Sequence, residues 1–211
     1  MRWSTASRSY DVVISLGANC QTAFQLRRLK LRRDAYPFDW FYFSHTPELT
    51  KVLQTEFAQF MRRDNLEPGR PSRVTTLVRD RATTCWSYHD FPLPTEPGQD
   101  PLYGYPDFRK KLDRRIARFL RTVRSGQRIL FIRSLVRKEE AAPLKKALDE
   151  LTAPRGCSLL IVNYHEEAAG WQEEEWNLDG VYAVRIAKGT QWYGSSEAWD
   201  ALMKNVRLTG R

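Results

Sequence analysis

The thiol of Cys20 is the first group in this sequence placed where covalent chemistry is possible. An apolar run, Val12-Val13-Ile14, meets Gly17, and a helix-period pattern starts at Asn19, so the cysteine falls where a strand turns into a helix. First-turn amides and the helix dipole favour negative charge at such a position, which predicts a lowered thiol pKa and a nucleophilic Cys20. A nucleophilic thiol needs a base that titrates near neutrality, and His89, one of only three histidines, ends the β-type run TTCWSYH. Together they describe acyl chemistry. His89 deprotonates Cys20, the thiolate attacks a carbonyl, and the amides of residues 18–21 receive the oxyanion. A plainer reading stands beside it, because a free cysteine commonly behaves as a small buried hydrophobe. Ser15, in the same turn, is an alternative nucleophile.

Other polar groups sit in apolar surroundings and need partners. Asp39 lies inside AYPFDWFYF, so it either accepts hydrogen bonds from nearby amides or orients His89 as the third catalytic member. Asp107 and Asn163 have suitable chemistry for that third place too. Asp90 adjoins His89, but consecutive strand side chains point to opposite faces. Arg133, on the apolar strand ILFIRS, calls for an anion: Asp39 within the fold, or a carboxylate or phosphate of a substrate. If the strands ending near Gly17, Ser134 and Asn163 are parallel neighbours, they gather Cys20, Arg133 and Asn163 at one carboxyl edge, where open α/β sheets collect ligands. Arg133 and Asn163 are the substrate-binding candidates.

The order of these segments carries a resemblance. SLGANC, then the helix with LRRLKLR, AYPFDW at residues 35–40, YHDF, and ILFIRS at residues 129–134 resemble a bacterial family of uncharacterised proteins labelled papain-like cysteine peptidases, over roughly residues 10–163. The resemblance implies a cysteine-dependent hydrolase or acyltransferase acting on an amide or ester bond, with Cys20 as nucleophile and His89 as base. It also implies a papain-like α+β fold, with the nucleophile helix packed on an antiparallel, barrel-like sheet. A chemistry is named by it, not a substrate.

With 211 residues the chain fits one domain, and 42% hydrophobic residues, with seven tryptophans and ten phenylalanines, exclude wholesale disorder. No stretch approaches the ~18 apolar residues of a membrane span, and the first residues lack a signal-like apolar region, so a cytoplasmic protein without membrane contact is expected. Three cysteines and three histidines without ligand spacing imply neither disulfides, nor a metal site, nor another cofactor. The net charge of +9 is concentrated in residues 27–33 and 109–124. A second function class follows from it, a non-catalytic basic protein binding nucleic acid or an anionic polymer. The basic helix face has no interleaved aromatics to stack bases, so a solvated face is preferred to nucleic acid. An acyl or peptide substrate of anionic character is the expected partner, and oligomeric state is left open.

The elements that must position these groups alternate. Strands are predicted over residues 10–16, 73–78, 83–89, 128–134, 158–163 and 181–186, and helices over 19–31, 46–61, 107–124, 139–151 and 197–206. In the first helix Ala23, Phe24 and Leu26 are expected inward. Residues 64–72 and the proline-rich residues 91–106 read as loops, and the glutamates at 173–175 as solvated surface. Ser196 is the predicted cap of the last helix. The fold class that follows is α/β: a layered domain with a mostly parallel central sheet flanked by helices, plus an antiparallel hairpin.

Overall fold

Apolar runs that alternate with amphipathic helices come together as neighbouring strands. The computed structural model describes residues 2–6, 8–43, 45–165 and 170–209. Its elements begin with β1 (Ser9–Tyr10), β2 (Val12–Ser15), α1 (Cys20–Arg28), β3 (Phe41–Tyr42), α2 (Thr46–Gln54), β4 (Leu66–Pro71), β5 (Thr75–Asp80), β6 (Trp86–Pro92) and α3 (Tyr105–Val123). They continue with β7 (Ile129–Ser134), α4 (Lys138–Thr152), β8 (Ser158–His165), β9 (Trp171–Glu174), β10 (Val181–Ala187), α5 (Ser196–Met203) and β11 (Arg207–Leu208).

β2, β7, β8 and β10 are parallel neighbours in that order, with β9 antiparallel on the far side of β10. Such strands read as unbroken apolar runs because both faces are covered. The two-residue period of a strand then sorts them. Val12, Ile14, Phe131 and Ile161 face a core shared with α2, α3 and α4. Val13, Leu130, Ile132 and Leu160 face a second core closed by Leu26 of α1 and by Trp199 and Leu202 of α5. The class is therefore α/β, with a mostly parallel central sheet between helical layers, as predicted.

The hairpin is larger than expected. β5 and β6 are the middle of a four-stranded antiparallel sheet ordered β3, β6, β5, β4. β4 occupies residues read as a loop, because two prolines and a glycine argue against a central strand; at an edge they are tolerated, and Pro68 lies opposite Val78. This sheet contributes Phe41, Leu66, Val78 and Phe91 to the first core. The result sets a helix that begins at a cysteine beside an antiparallel sheet that carries a histidine, the relation a papain-like α+β arrangement implies.

Three other expectations change. α2 stops at Gln54 rather than near Met61, because Glu56 and Phe57 turn left-handed (φ 46° and 68°); Phe57, Phe60 and Met61 still reach the core from turns. The glutamate run belongs partly to β9, an edge strand paired with β10. Ser195 rather than Ser196 caps α5, its hydroxyl accepting the Ala198 amide at 3.2 Å. α3 keeps its predicted face, with Phe108, Leu112, Ile116, Phe119 and Val123 buried. Among the described residues no helix is long and apolar enough to cross a membrane.

Candidate active site

Cys20 is delivered by a sharp turn. After β2 the backbone passes through Gly17 (φ 73°) and Ala18 (φ 91°) before α1 begins. Glycine is required at the first position: a Cβ there would lie 2.8 Å from the Phe38 carbonyl oxygen, as well as paying the left-handed penalty. Held strain of this kind persists only where surrounding contacts over-determine it. Here the Gly17 amide donates to Ser15 Oγ at 3.1 Å, the Phe43 amide donates to the Ala18 carbonyl at 3.1 Å, and Arg133 Nη1 donates to the Leu16 carbonyl at 2.9 Å. Asn19 caps α1, its Oδ1 accepting the Gln21 amide at 3.0 Å. That bond removes Gln21 from the amides available to an oxyanion and leaves those of Ala18, Asn19 and Cys20.

His89 owes its direction to a bulge. Thr76 pairs with Phe91 and Val78 with Ser87, so the single residue Leu77 of β5 faces Tyr88, His89 and Asp90 of β6. Strict alternation would turn His89 inward with Ser87 and Phe91, whereas the bulge turns it out and leaves it exposed. Thr75 Oγ1 supports the bulge by donating to the Tyr88 carbonyl at 2.6 Å. The structure brings the two candidates together, with Cys20 Sγ 3.6 Å from His89 Nε2. Among the described residues no hydrogen bond reaches the other ring nitrogen of His89. Its ring stands edge-on to Trp40, with centroids 6.1 Å apart and planes at 90°.

The thiol's electrostatics differ from expectation. The Cys20 amide does favour the thiolate, but burial foremost, and then the nearby carboxylates of Asp90 and Asp39, push the thiol up to about 11. A standing thiolate at neutral pH is thus corrected to a neutral thiol facing an imidazole. Asp90 is held behind the strand, accepting from Ser87 Oγ at 2.8 Å and pairing with Lys111 at 2.5 Å.

Asp39 does not orient His89 by a hydrogen bond. Its Oδ2 accepts the Tyr36 amide at 2.8 Å and meets Arg32 at 2.7 Å, while its Oδ1 is buried without a partner. Burial outweighs the attraction of Arg32 and raises this carboxyl to about 6. A raised acid is held more tightly by the folded chain, so its contribution to stability is full below about pH 4 and lost as pH rises through about 6. Relative to Asp39→Asn, the wild-type protein should gain up to about 3 kcal/mol on acidification from about pH 7 to about pH 4. Urea melts of both proteins across that range measure the difference; a flat or opposite trend would show that Arg32 keeps Asp39 ionised.

The remaining candidates have internal duties. Arg133 is fully buried, donates to the carbonyls of Leu16 (2.9 Å) and Phe43 (3.1 Å), and pairs with neither Asp39 nor open solvent. Asn163 exchanges hydrogen bonds with the Val136 backbone at 3.0 and 2.9 Å. Neither lines the cleft described below, so the predicted substrate contacts find no support. The carboxyl edge of the central sheet is filled by a buried hydroxyl chain, Thr22 to Ser134 to Tyr164, with both links 2.9 Å. Ser15 is buried with its hydroxyl on the Gly17 amide, which withdraws it as a nucleophile. Among the described residues no group of three or more histidine, cysteine or acidic side chains could hold a metal ion. Of the eight basic residues from Arg109 to Arg124, four (Arg109, Lys111, Arg118 and Arg124) each pair with an acid, so about half of this charge is met in place.

Cys20 and His89 open into a cleft of about 670 Å³. Phe24 and Arg27 of α1 form one wall, Val74, Thr75 and Leu77 the other, and Trp40, Tyr88 and Trp192 complete it. Phe24 was expected in the core, yet Thr22 and Gln25 are buried instead, Gln25 because its Nε2 donates to the Tyr193 carbonyl at 2.6 Å. A sequence signal for this wall did exist: Phe24 and Arg27 fall four and seven residues after Cys20, on one helical stripe.

A family model described as "Putative papain-like cysteine peptidase" matches residues 11–162, a span holding both Cys20 and His89. A relative, the uncharacterized protein R408 of Acanthamoeba polyphaga mimivirus, is 27% identical over 219 residues, covering 91% of this chain and 96% of its own length. That relative is viral, so restriction of the resemblance to bacteria is not upheld. No solved structure matches the chain.

Proposed function

Because this chain belongs to the family described as putative papain-like cysteine peptidases, we propose that it is a cysteine-dependent hydrolase or acyltransferase acting on an ester or amide, with Cys20 as nucleophile and His89 as base. The observation that carries this reading is the 3.6 Å approach of Sγ to Nε2 at the end of an open cleft. With a neutral thiol, proton transfer accompanies attack: Nε2 takes the thiol proton as the carbon–sulfur bond forms. Burial first, and then the carboxylates of Asp90 and Asp39, hold the thiol proton at rest. The amides of Asn19 and Cys20 at the start of α1 meet the oxyanion. As the oxyanion collapses, the bond to the leaving oxygen or nitrogen breaks and the imidazolium returns its proton to that atom. Water, or an acceptor hydroxyl, amine or thiol, then gives a proton to His89 and attacks the acyl carbon, and the sulfur leaves with the proton restored.

The test needs no natural substrate. Brief exposure to para-nitrophenyl acetate followed by peptide mapping is expected to place the acetyl group on Cys20 well before Cys85, which is fully buried, or Cys157. Acetylation spread evenly over the three cysteines, or sparing Cys20, would remove the nucleophile.

A further inference from the structure

The walls of the cleft describe the arm of the molecule that fits it. Phe24 packs against Trp192 and Tyr193, with centroids 5.0 and 5.2 Å away. Val74, on the other wall, is 74% exposed and Trp192 itself 61%, apolar surface left open at the mouth of a reactive site. One cation enters this apolar lining. The Arg27 guanidinium lies 5.8 Å from the Phe24 ring and 6.0 Å from the Trp40 ring. Its neighbours Arg28 and Arg32 pair with Asp200 and Asp39, whereas Arg27 has no acidic partner among the described residues. Seven residues along a helix place it about 10 Å beyond Cys20 on the same stripe.

Polypeptide backbone is poorly served here. An extended peptide brings one donor and one acceptor per residue, and each must be met when desolvated. The strand forming the far wall, β5, lies between β4 and β6, so it offers no free edge for an added strand. The wall's hydroxyls are committed as well: Ser72 Oγ accepts the amides of Val74 and Thr75, and Thr75 Oγ1 donates to the Tyr88 carbonyl.

We infer that the cleft takes a carbonyl compound with a hydrocarbon or aromatic acyl arm ending in an anionic group that reaches Arg27, rather than an extended polypeptide. The inference rests on Cys20 as the attacking group. Its volume of about 670 Å³ suits one small molecule. Phe24 and Trp192 grip the arm, Arg27 sets its length, and the carbonyl is left at Cys20.

Titration calorimetry on Cys20→Ala, which cannot react, reads the cleft alone. Monomethyl nonanedioate should bind about tenfold or more tightly than dimethyl nonanedioate, the gain of one charge-assisted contact. Adding Arg27→Gln should abolish that preference, while adding Trp192→Ala should weaken both esters alike. Equal binding of the two esters, a preference that survives Arg27→Gln, or tighter binding of an acetyl-capped tetra-alanine amide would overturn the inference. Acetyl mapping on the wild-type protein reads the nucleophile separately, so either reading can fail while the other stands.

Discussion

Replacing His89 with alanine is expected to slow acetylation of Cys20 by para-nitrophenyl acetate about 10²–10⁴-fold near neutral pH, the usual span for loss of a general base. The size follows from the thiol. Burial and two carboxylates hold its proton up to about 11, so at neutral pH very little thiolate exists without a base in contact. The variant should recover as pH rises, because solution hydroxide replaces the imidazole, and the gap to wild type should narrow steadily toward about pH 10. A preformed thiolate–imidazolium pair would behave otherwise, reacting at a rate nearly independent of pH around neutrality in the wild-type protein. His89 is exposed, and the bulge is held by Thr75 rather than by the imidazole, so the fold should survive the substitution. Unchanged acetylation in His89→Ala, with an intact melt, would leave Cys20 as an ordinary thiol.

Arg133→Ala is expected to cost about 3–5 kcal/mol of stability, the largest loss among single substitutions near the site. It would empty a fully buried volume and leave the carbonyls of Leu16 and Phe43 without their donors. Arg133→Met separates the two causes. Methionine fills much of the space and relieves burial of a cation whose pKa is lowered to about 10, so its loss should be smaller. Lysine should not restore wild-type stability, because one ammonium cannot reproduce a planar fork reaching two carbonyls. Urea midpoints of the three variants decide. If Arg133→Met equals wild type, packing alone is what the arginine supplies.

The parts of this fold legible from sequence are those set by local pattern. β2, β7 and β8 are unbroken apolar runs, and α3 repeats Phe108, Leu112, Ile116 and Phe119 at helical spacing, so burial could be assigned from either. β4 was not legible, because its prolines are tolerated only by an edge position that the tertiary arrangement creates. In α1, hydrophobicity pointed Phe24 inward; hydrogen bonds to Ser134 and to the Tyr193 carbonyl drew Thr22 and Gln25 there instead. Cys20 and His89 stood out because each sits at the end of a run. The thiol's proton affinity did not, since it depends first on burial and then on Asp90 and Asp39, which only the folded chain brings together. Arg133 defeated prediction for a related reason: its partners are main-chain carbonyls, which carry no residue identity to read.

The proposed reactive pair is divided between two sheets. Cys20 follows β2 of the parallel sheet, and His89 rides β6 of the antiparallel one; Arg133 and the Phe43 amide fasten the two where they meet. The boundary between the two sheets therefore lies between thiol and imidazole. Sub-global opening that parts the sheets would separate sulfur from imidazole while each sheet kept its own ladder of hydrogen bonds. The proposed chemistry is then a property of the seam, and substitutions far from the cleft that loosen the seam would part the pair without unfolding either sheet.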